Sequence, residues 1–371
     1  MRKALCFALL IASLLGGACV KTDPPPNPFR QPIPYQVGKS PSFVGASDLN
    51  QDGFLDLATA NTESQSLSIL LGNKDGSFQE PAPLPAGKQP RWIVFGDFDQ
   101  DGKEDAAVLN NDEDNLYLFL NQGAGRFGAP AIYETGRAPF SAAAADFNGD
   151  LRLDLAVVSR FDRLTVFLGE ENGRLRRGTV DDPGDTPTGV ISGYFNKDRI
   201  IDLAIANNGA KGGDIILFWG RGDGTFEKGD RYFTGMRPLG LISEDFNGDR
   251  RADILVINGV GDSLSLFLQN EKERFDPPRN FGAEGGPVSA AAGDFDGDGQ
   301  IDLAVANSRS DNISLLIGKG DGSFQHPPLN LFTGVAPFYV AAGDFNRDGR
   351  TDLAAVNNEE NTLSVLLARL K

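Results

Sequence analysis

From about residue 29 onward, hydrophobic positions along this chain come in short runs bounded by turn residues, with no long helical stripe. The stretch 97–145 shows the pattern well. Ala106–Leu109 is a short apolar run ending in Asn110, and Leu116–Leu120 is a second. A Gly-rich turn (121–126) leads to Phe127-x-x-Pro130-x-x-Tyr133-x-x-Gly136-x-x-Pro139, and Phe140–Ala145 is a fourth run made mostly of small residues. Short apolar runs bounded by turn residues predict strands, and the absence of a 3.6-residue period argues against α/β units. Four strands in about 49 residues is the size of one propeller blade.

Between the fourth strand of one unit and the first of the next lies an acidic nine-residue loop, clearest at 294–302 (D-F-D-G-D-G-Q-I-D). Carboxylates this close repel unless a cation sits among them. Ca²⁺ takes roughly six to eight oxygen ligands at ~2.3–2.6 Å. Positions 1, 3, 5 and 9 supply side chains, position 7 (Gln300) a backbone carbonyl, and Gly at position 6 permits the sharp turn. The start resembles an EF-hand loop, but position 12 is Val305, inside an apolar run, so a strand–loop–strand site is expected. First positions recur at Asp48, Asp97, Asp146, Tyr194, Asp245, Asp294 and Asp344, at steps of 48 to 51 residues. Such a period marks a repeat architecture.

The expected ligands are Asp48, Asn50, Asp52 and Asp56; Asp97, Asp99, Asp101 and Asp105; Asp146, Asn148, Asp150 and Asp154; Asp245, Asn247, Asp249 and Asp253; Asp294, Asp296, Asp298 and Asp302; and Asp344, Asn346, Asp348 and Asp352. The loops at 48, 97, 294 and 344 keep Gly at position 6 (Gly53, Gly102, Gly299, Gly349) and are the strongest. Those at 146 and 245 carry Leu151 and Arg250 there. A side chain in a left-handed turn costs roughly 1–2 kcal/mol, so weaker binding is expected. The remaining loop has Tyr194, Asn196, Asp198 and Asp202, with Arg199 at position 6. It is expected to hold no Ca²⁺, with Arg199 standing in for the charge. About four to six Ca²⁺ per chain follow.

These residues resemble the FG-GAP repeats of integrin α-chain head domains and of bacterial VCBS-type repeat proteins. The carrying motifs are G-D-F-D-G-D-G-Q-I-D-L-A-V-A-N (293–307), G-D-F-N-R-D-G-R-T-D-L-A-A-V-N (343–357) and the turns G-D-G-S-F (320–324) and K-D-G-S-F (74–78). The resemblance covers about residues 29–371. It implies an all-β, seven-bladed propeller with Ca²⁺ in the loops, and no single function.

The ends make a sharper prediction. Phe29-x-x-Pro32-x-x-Tyr35-x-x-Gly38-x-x-Pro41 repeats the Phe127 motif, while the last unit stops after 363–367. The ring is expected to close by pairing residues 29–38 with 363–367, which removes open sheet edges.

Composition adds three points. Formal net charge is −16, yet 22 Asp occupy loop positions 1, 3, 5 and 9 and without them the balance would be +6. The acidity is local, and no basic surface suits nucleic acid. Residues 1–18 form a secretory leader, with Arg2 and Lys3 before an apolar Leu5–Leu15 and small residues at 16–18. Cys19 then stands where a bacterial lipoprotein is lipidated, although Gly16 replaces the usual Leu, and an ordinary secretory cut is the other reading. Residues 19–28 are a Pro-rich tether. Export to a bacterial cell envelope, with a membrane anchor at Cys19, is expected. No disulfide is possible after Cys19, and His326 is the single histidine, which excludes His-based triads and cages.

Several features invite functional stories. Arg221-Gly222-Asp223 reads better as a hairpin turn than as a recognition tripeptide. Asn61, Asn110, Asn207, Asn258, Asn307 and Asn357, with Ser159 as the exception, read as caps of the following turn rather than a ligand ring. Phe98, Phe147, Phe195, Phe246, Phe295 and Phe345 read as core. Asn312-Ile313-Ser314 is a sequon of little consequence behind a bacterial leader. Two functions remain. One is a non-enzymatic, Ca²⁺-stabilised, monomeric propeller that binds a protein or a glycan. The other is a polysaccharide lyase or hydrolase using carboxylates beyond the loops, such as Glu63, Asp112, Glu113, Glu359 and Glu360, or Ca²⁺ at the propeller mouth.

Overall fold

The computed structural model describes residues 27–369 apart from 162, 210 and 211. The leader 1–18, Cys19 and most of the tether lie outside the described residues. The chain forms seven four-stranded antiparallel sheets. The first blade runs Pro41–Ser47, Asp56–Asn61, Ser66–Leu70 and Ala82–Pro85, paired in chain order. Its innermost strand has equivalents at Pro90–Gly96, Pro139–Ala145, Pro187–Gly193, Met236–Glu244, Pro287–Gly293 and Pro337–Gly343. Each of these packs on the innermost strands of the blades before and after it, and the last packs on the first. The ring is therefore closed around a central channel.

Closure occurs where the sequence predicts it. Ile33–Gln36 pairs antiparallel with Thr362–Leu366, Ile33 opposite Val365 and Gln36 opposite Thr362. A further bridge joins Phe29 to Ala368. The last blade thus takes its outer strand from the start of the chain. The Phe-x-x-Pro-x-x-Tyr stretches are less extended than their pattern suggests. In the second blade the strand is Ala131–Glu134, and Phe127 makes an isolated bridge to Asn121.

The second strands are buried on both faces (Asp302–Asn307 throughout), which explains their unbroken apolar character. Each core lies between two blades. Phe98, for example, packs with Leu116 and Leu118 of its own blade and with Ala142, Leu155 and Val157 of the next. The phenylalanine at loop position 2 is buried in all six cases, as is Leu49 in the remaining loop. Tyrosines of the outer strands fasten the blades together. Backbone N–H groups of Phe78, Leu175 and Phe275 donate to the hydroxyls of Tyr35, Tyr133 and Tyr232 in the preceding blade, at 3.0, 3.0 and 3.4 Å.

The six strand-terminal asparagines are fully buried. They do not cap the turn that follows, as expected, but span the hairpin to the third strand. Asn61 Nδ2 donates to Ser68 Oγ at 3.0 Å, and Asn357 Nδ2 to Thr362 Oγ1 and Ser364 Oγ at 3.0 and 2.9 Å. Asn207 reaches Asp214 instead, a buried carboxylate paired with Arg231. The glycine three residues past the outer-strand tyrosine makes room: a Cβ on Gly38 would sit 2.6 Å from Asn61 Cγ.

Candidate metal centres

Each innermost strand runs into an aspartate loop, so all seven loops lie at one end of the channel. Backbone N–H groups shape each loop. In the loop at 294, Asp294 accepts from the amides of Gly297, Asp298 and Gly299. Asp296 accepts from Asp298, and Asp298 from Gln300. Left-handed backbone at positions 4 and 6 turns these amides inward. Gly297 and Gly299 have φ of 77° and 83°. Leu151 and Arg250 adopt φ of 66° at position 6 despite their side chains, the strain anticipated from the sequence.

The ninth-position aspartate has a second task. Asp302 is fully buried; its Oδ2 accepts from Phe295 N at 2.8 Å and its Oδ1 from Gly318 N at 2.7 Å. It joins the start of its own loop to the turn after the third strand. Asp56, Asp105, Asp154, Asp202, Asp253 and Asp352 do the same. Burial pushes Asp302 up to about 6 and Asp253 to about 7, partly offset by these amide hydrogen bonds. Asp202 keeps both bonds in the loop that starts with Tyr194, so this aspartate serves the fold even without a first-position carboxylate.

The donor set suits a hard cation. Carboxylate oxygens of Asp294, Asp296 and Asp298 lie within 4.8 Å of one another, as do those of Asp97, Asp99 and Asp105. Asp101 stands outside the second trio, and Lys103 Nζ bonds to it, which holds its carboxyl below the usual range. Basic residues at position 7 also reach the position-5 carboxylate in two other loops: Arg152 lies 3.5 Å from Asp150 and Arg251 lies 2.5 Å from Asp249. This internal competitor was missed in the sequence, where the only signal is a basic residue two places after the third ligand. In the loops at 48, 146, 245 and 344, the Asn amide oxygen at position 3 accepts from the position-5 N–H and the amide nitrogen turns to the position-5 carboxylate, as Asn50 does with Asp52.

In the loop at 194, Tyr194 is exposed and Arg199 has φ of 63°. Among the described residues its guanidinium makes no ion pair with Asp198 or Asp202, so the expected stand-in for the ion's charge is not formed. Arg221-Gly222-Asp223 is a turn: Asp223 accepts from the backbone and hydroxyl of Thr225, and Arg221 pairs with Glu227 at 3.1 Å. Asn312 accepts from Asn307 at the hairpin. Glu63, Asp112, Glu113, Glu359 and Glu360 lie at the other end of the ring, in the hairpins after the buried asparagines. Asp112 accepts from Gln89, and Glu113 from the Tyr117 hydroxyl.

A closed ring of seven four-stranded antiparallel blades, with aspartate loops between first and second strands, defines a seven-bladed β-propeller. The chain belongs to the FG-GAP-like repeat family, whose model matches residues 48–108, 97–157, 245–305 and 294–355. The stretch between, which holds the Tyr194 loop, is not matched. Two crystal structures of BBS1N in complex with ARL6DN, soaked with lead and with mercury, share the fold at TM-scores of 0.63 and 0.67. Each is 12% identical, over 92% of this chain and 97% of that one. No curated protein matches the chain.

Proposed function

We propose that this protein is a non-enzymatic, Ca²⁺-stabilised extracytoplasmic propeller that binds a protein or a glycan, and that it is held at a bacterial membrane through Cys19. The observation that carries the calcium reading is the convergence of three carboxylates at Asp294, Asp296 and Asp298 in a loop already shaped by its own amides. A preformed oxygen cage binds the ion in the folded chain alone, so ion binding adds to folding stability. The binding reading is supported by a chain that is propeller throughout its described length, and by the crystallised BBS1N being in complex with a protein.

The test is thermal unfolding with Ca²⁺ and with excess chelator, together with metal content and a screen of immobilised glycans and envelope proteins. Four to six Ca²⁺ per chain, a Tm that falls on chelation, and a ligand retained by the folded chain are expected. No metal and no shift would overturn the calcium reading. Turnover of a polysaccharide would overturn the non-enzymatic one.

A further inference from the structure

The channel has a second end, away from the aspartate loops. There every innermost strand carries a β-bulge, with Pro41, Pro90, Pro139, Pro187, Pro238, Pro287 and Pro337 in register and the next residue left out of it. A bulge re-aims its side chain. The seven bulged residues (Ser42, Arg91, Phe140, Thr188, Leu239, Val288 and Phe338) all line one cavity of 160 Å³ at the channel mouth. The frame repeats seven times, but its lining does not. One bulge residue is charged, two are aromatic, two aliphatic and two hydroxylic.

Arg91 is joined at this mouth by Arg160 and Arg237, and no carboxylate lines it. Arg91 and Arg160 lie over the Phe140 ring, at 5.0 and 5.9 Å from its centroid. Among the described residues none of the three guanidiniums has an ion pair or a side-chain hydrogen bond, although arginines elsewhere in the ring find Asp214, Asp249 and Asp262. Arg91 is half-buried, and that burial with Arg160 beside it pulls its pKa down, the mark of a cation short of a counter-charge; Asp112 opposes this from a distance. Below lie Trp92 and Tyr339, their rings 5.6 Å apart and edge to face. The mouth thus offers three guanidiniums and no carboxylate, and is walled by apolar faces. A guanidinium fork matches a carboxylate in two hydrogen bonds. A bare anion would engage the arginines and leave the aromatic and aliphatic walls uncovered. A carboxylate carried on a compact ring uses both.

We propose that this mouth binds the carboxylate of an acidic sugar, with Arg91 as anchor and Arg160 and Arg237 as flanking donors. This deepens the binding reading above and rests on it. The experiment is calorimetric titration of the full chain with glucuronate, glucose, inorganic phosphate and an aspartate-rich peptide, repeated on Arg91→Gln. Glucuronate should bind and glucose should not, and Arg91→Gln should weaken glucuronate at least about tenfold while its Tm holds or rises, because an unpaired, half-buried cation has been removed. Phosphate binding as tightly as glucuronate, binding of the peptide alone, or an Arg91→Gln variant that binds like the parent would overturn it. A ligand from the screen that an Arg91→Gln/Arg160→Gln variant still retains would sink this inference and leave the binding reading standing. No ligand for either chain would sink both.

Discussion

At the residue scale, the ninth aspartate and the position-6 residue of each loop make separable predictions. Asp202 sits in the loop expected to be metal-free, so it reports the fold role alone. Asp202→Asn sets an amide N–H₂ against a backbone N–H of Phe195 or Gly220, and should cost about 1–3 kcal/mol in chemical unfolding. Burial raises this carboxyl from its ordinary 3.8 to about 6. Its contribution to stability is therefore whole below about pH 4 and is lost as pH rises through 6. A site-resolved carboxyl titration should find its midpoint well above that of exposed aspartates. Leu151 is exposed and left-handed, its backbone held by Asp146 and by Gln100 of the preceding blade while its side chain is free of the core. Leu151→Gly should raise stability by about 1 kcal/mol, read as an increase in Tm. In the loop at 245, Arg251 competes for Asp249. Arg251→Met should tighten Ca²⁺ binding there, whereas Asp298→Ala should remove one ion from the count and leave the other loops working.

At the element scale, six of the seven blades have a buried asparagine that stitches the second strand to the third, Ser159 standing in its place in the other, and at Asn61, Asn110, Asn207, Asn258 and Asn357 a glycine leaves room for it. Gly38 has ordinary backbone, so its replacement tests space alone. Gly38→Ala would drive a methyl to within 2.6 Å of Asn61 Cγ and displace the bond to Ser68. A loss of about 2 kcal/mol or more is expected, because buried polar atoms would be left unpaired; a wild-type melting curve would contradict this. The Gly and the Asn were both visible in the sequence as recurring letters, but their contact was not. They lie 23 residues apart, and only the return of the outer strand toward the next inner strand brings them together. The hairpin role of asparagine was likewise misread as a local cap, since its partners at 68, 314 and 364 are cross-strand neighbours rather than sequence neighbours.

At the scale of the whole molecule, the ring is a device for abolishing edges. The N-terminal strand serves the last blade, so removing residues 27–38 should expose the edge of Thr362–Leu366. Such a chain should melt lower and self-associate with rising concentration in sedimentation, while removal of residues 20–26 of the tether should do neither. Neighbouring aspartate loops also touch. Gln51 donates to the carbonyl of Gly102 and Gln100 to that of Leu151, each from position 4 of one loop to position 6 of the next. Arg347 lies over Phe54 in the loop of the adjoining blade.

The sequence by itself determined the repeat, its four short strands, its phase and the site of closure. Those follow from local chemistry: apolar runs too short for helices, turns made of Gly and Asp, and a spare motif at the start with its gap at the end. It also placed the carboxylates of each loop together, because nine consecutive residues cannot separate far. Tertiary structure decided the rest. It assigned the ninth aspartate to a turn at least 15 residues away, set Lys103 and Arg251 on carboxylates they merely follow in the chain, and left Arg199 unpaired among the described residues. It also gathered Arg91 of one blade with Phe140 and Arg160 of the next at one mouth. Repetition can be read along a chain, but the centre of a ring is built from one residue per blade, and the identity of that assembly appears only when the ring is closed.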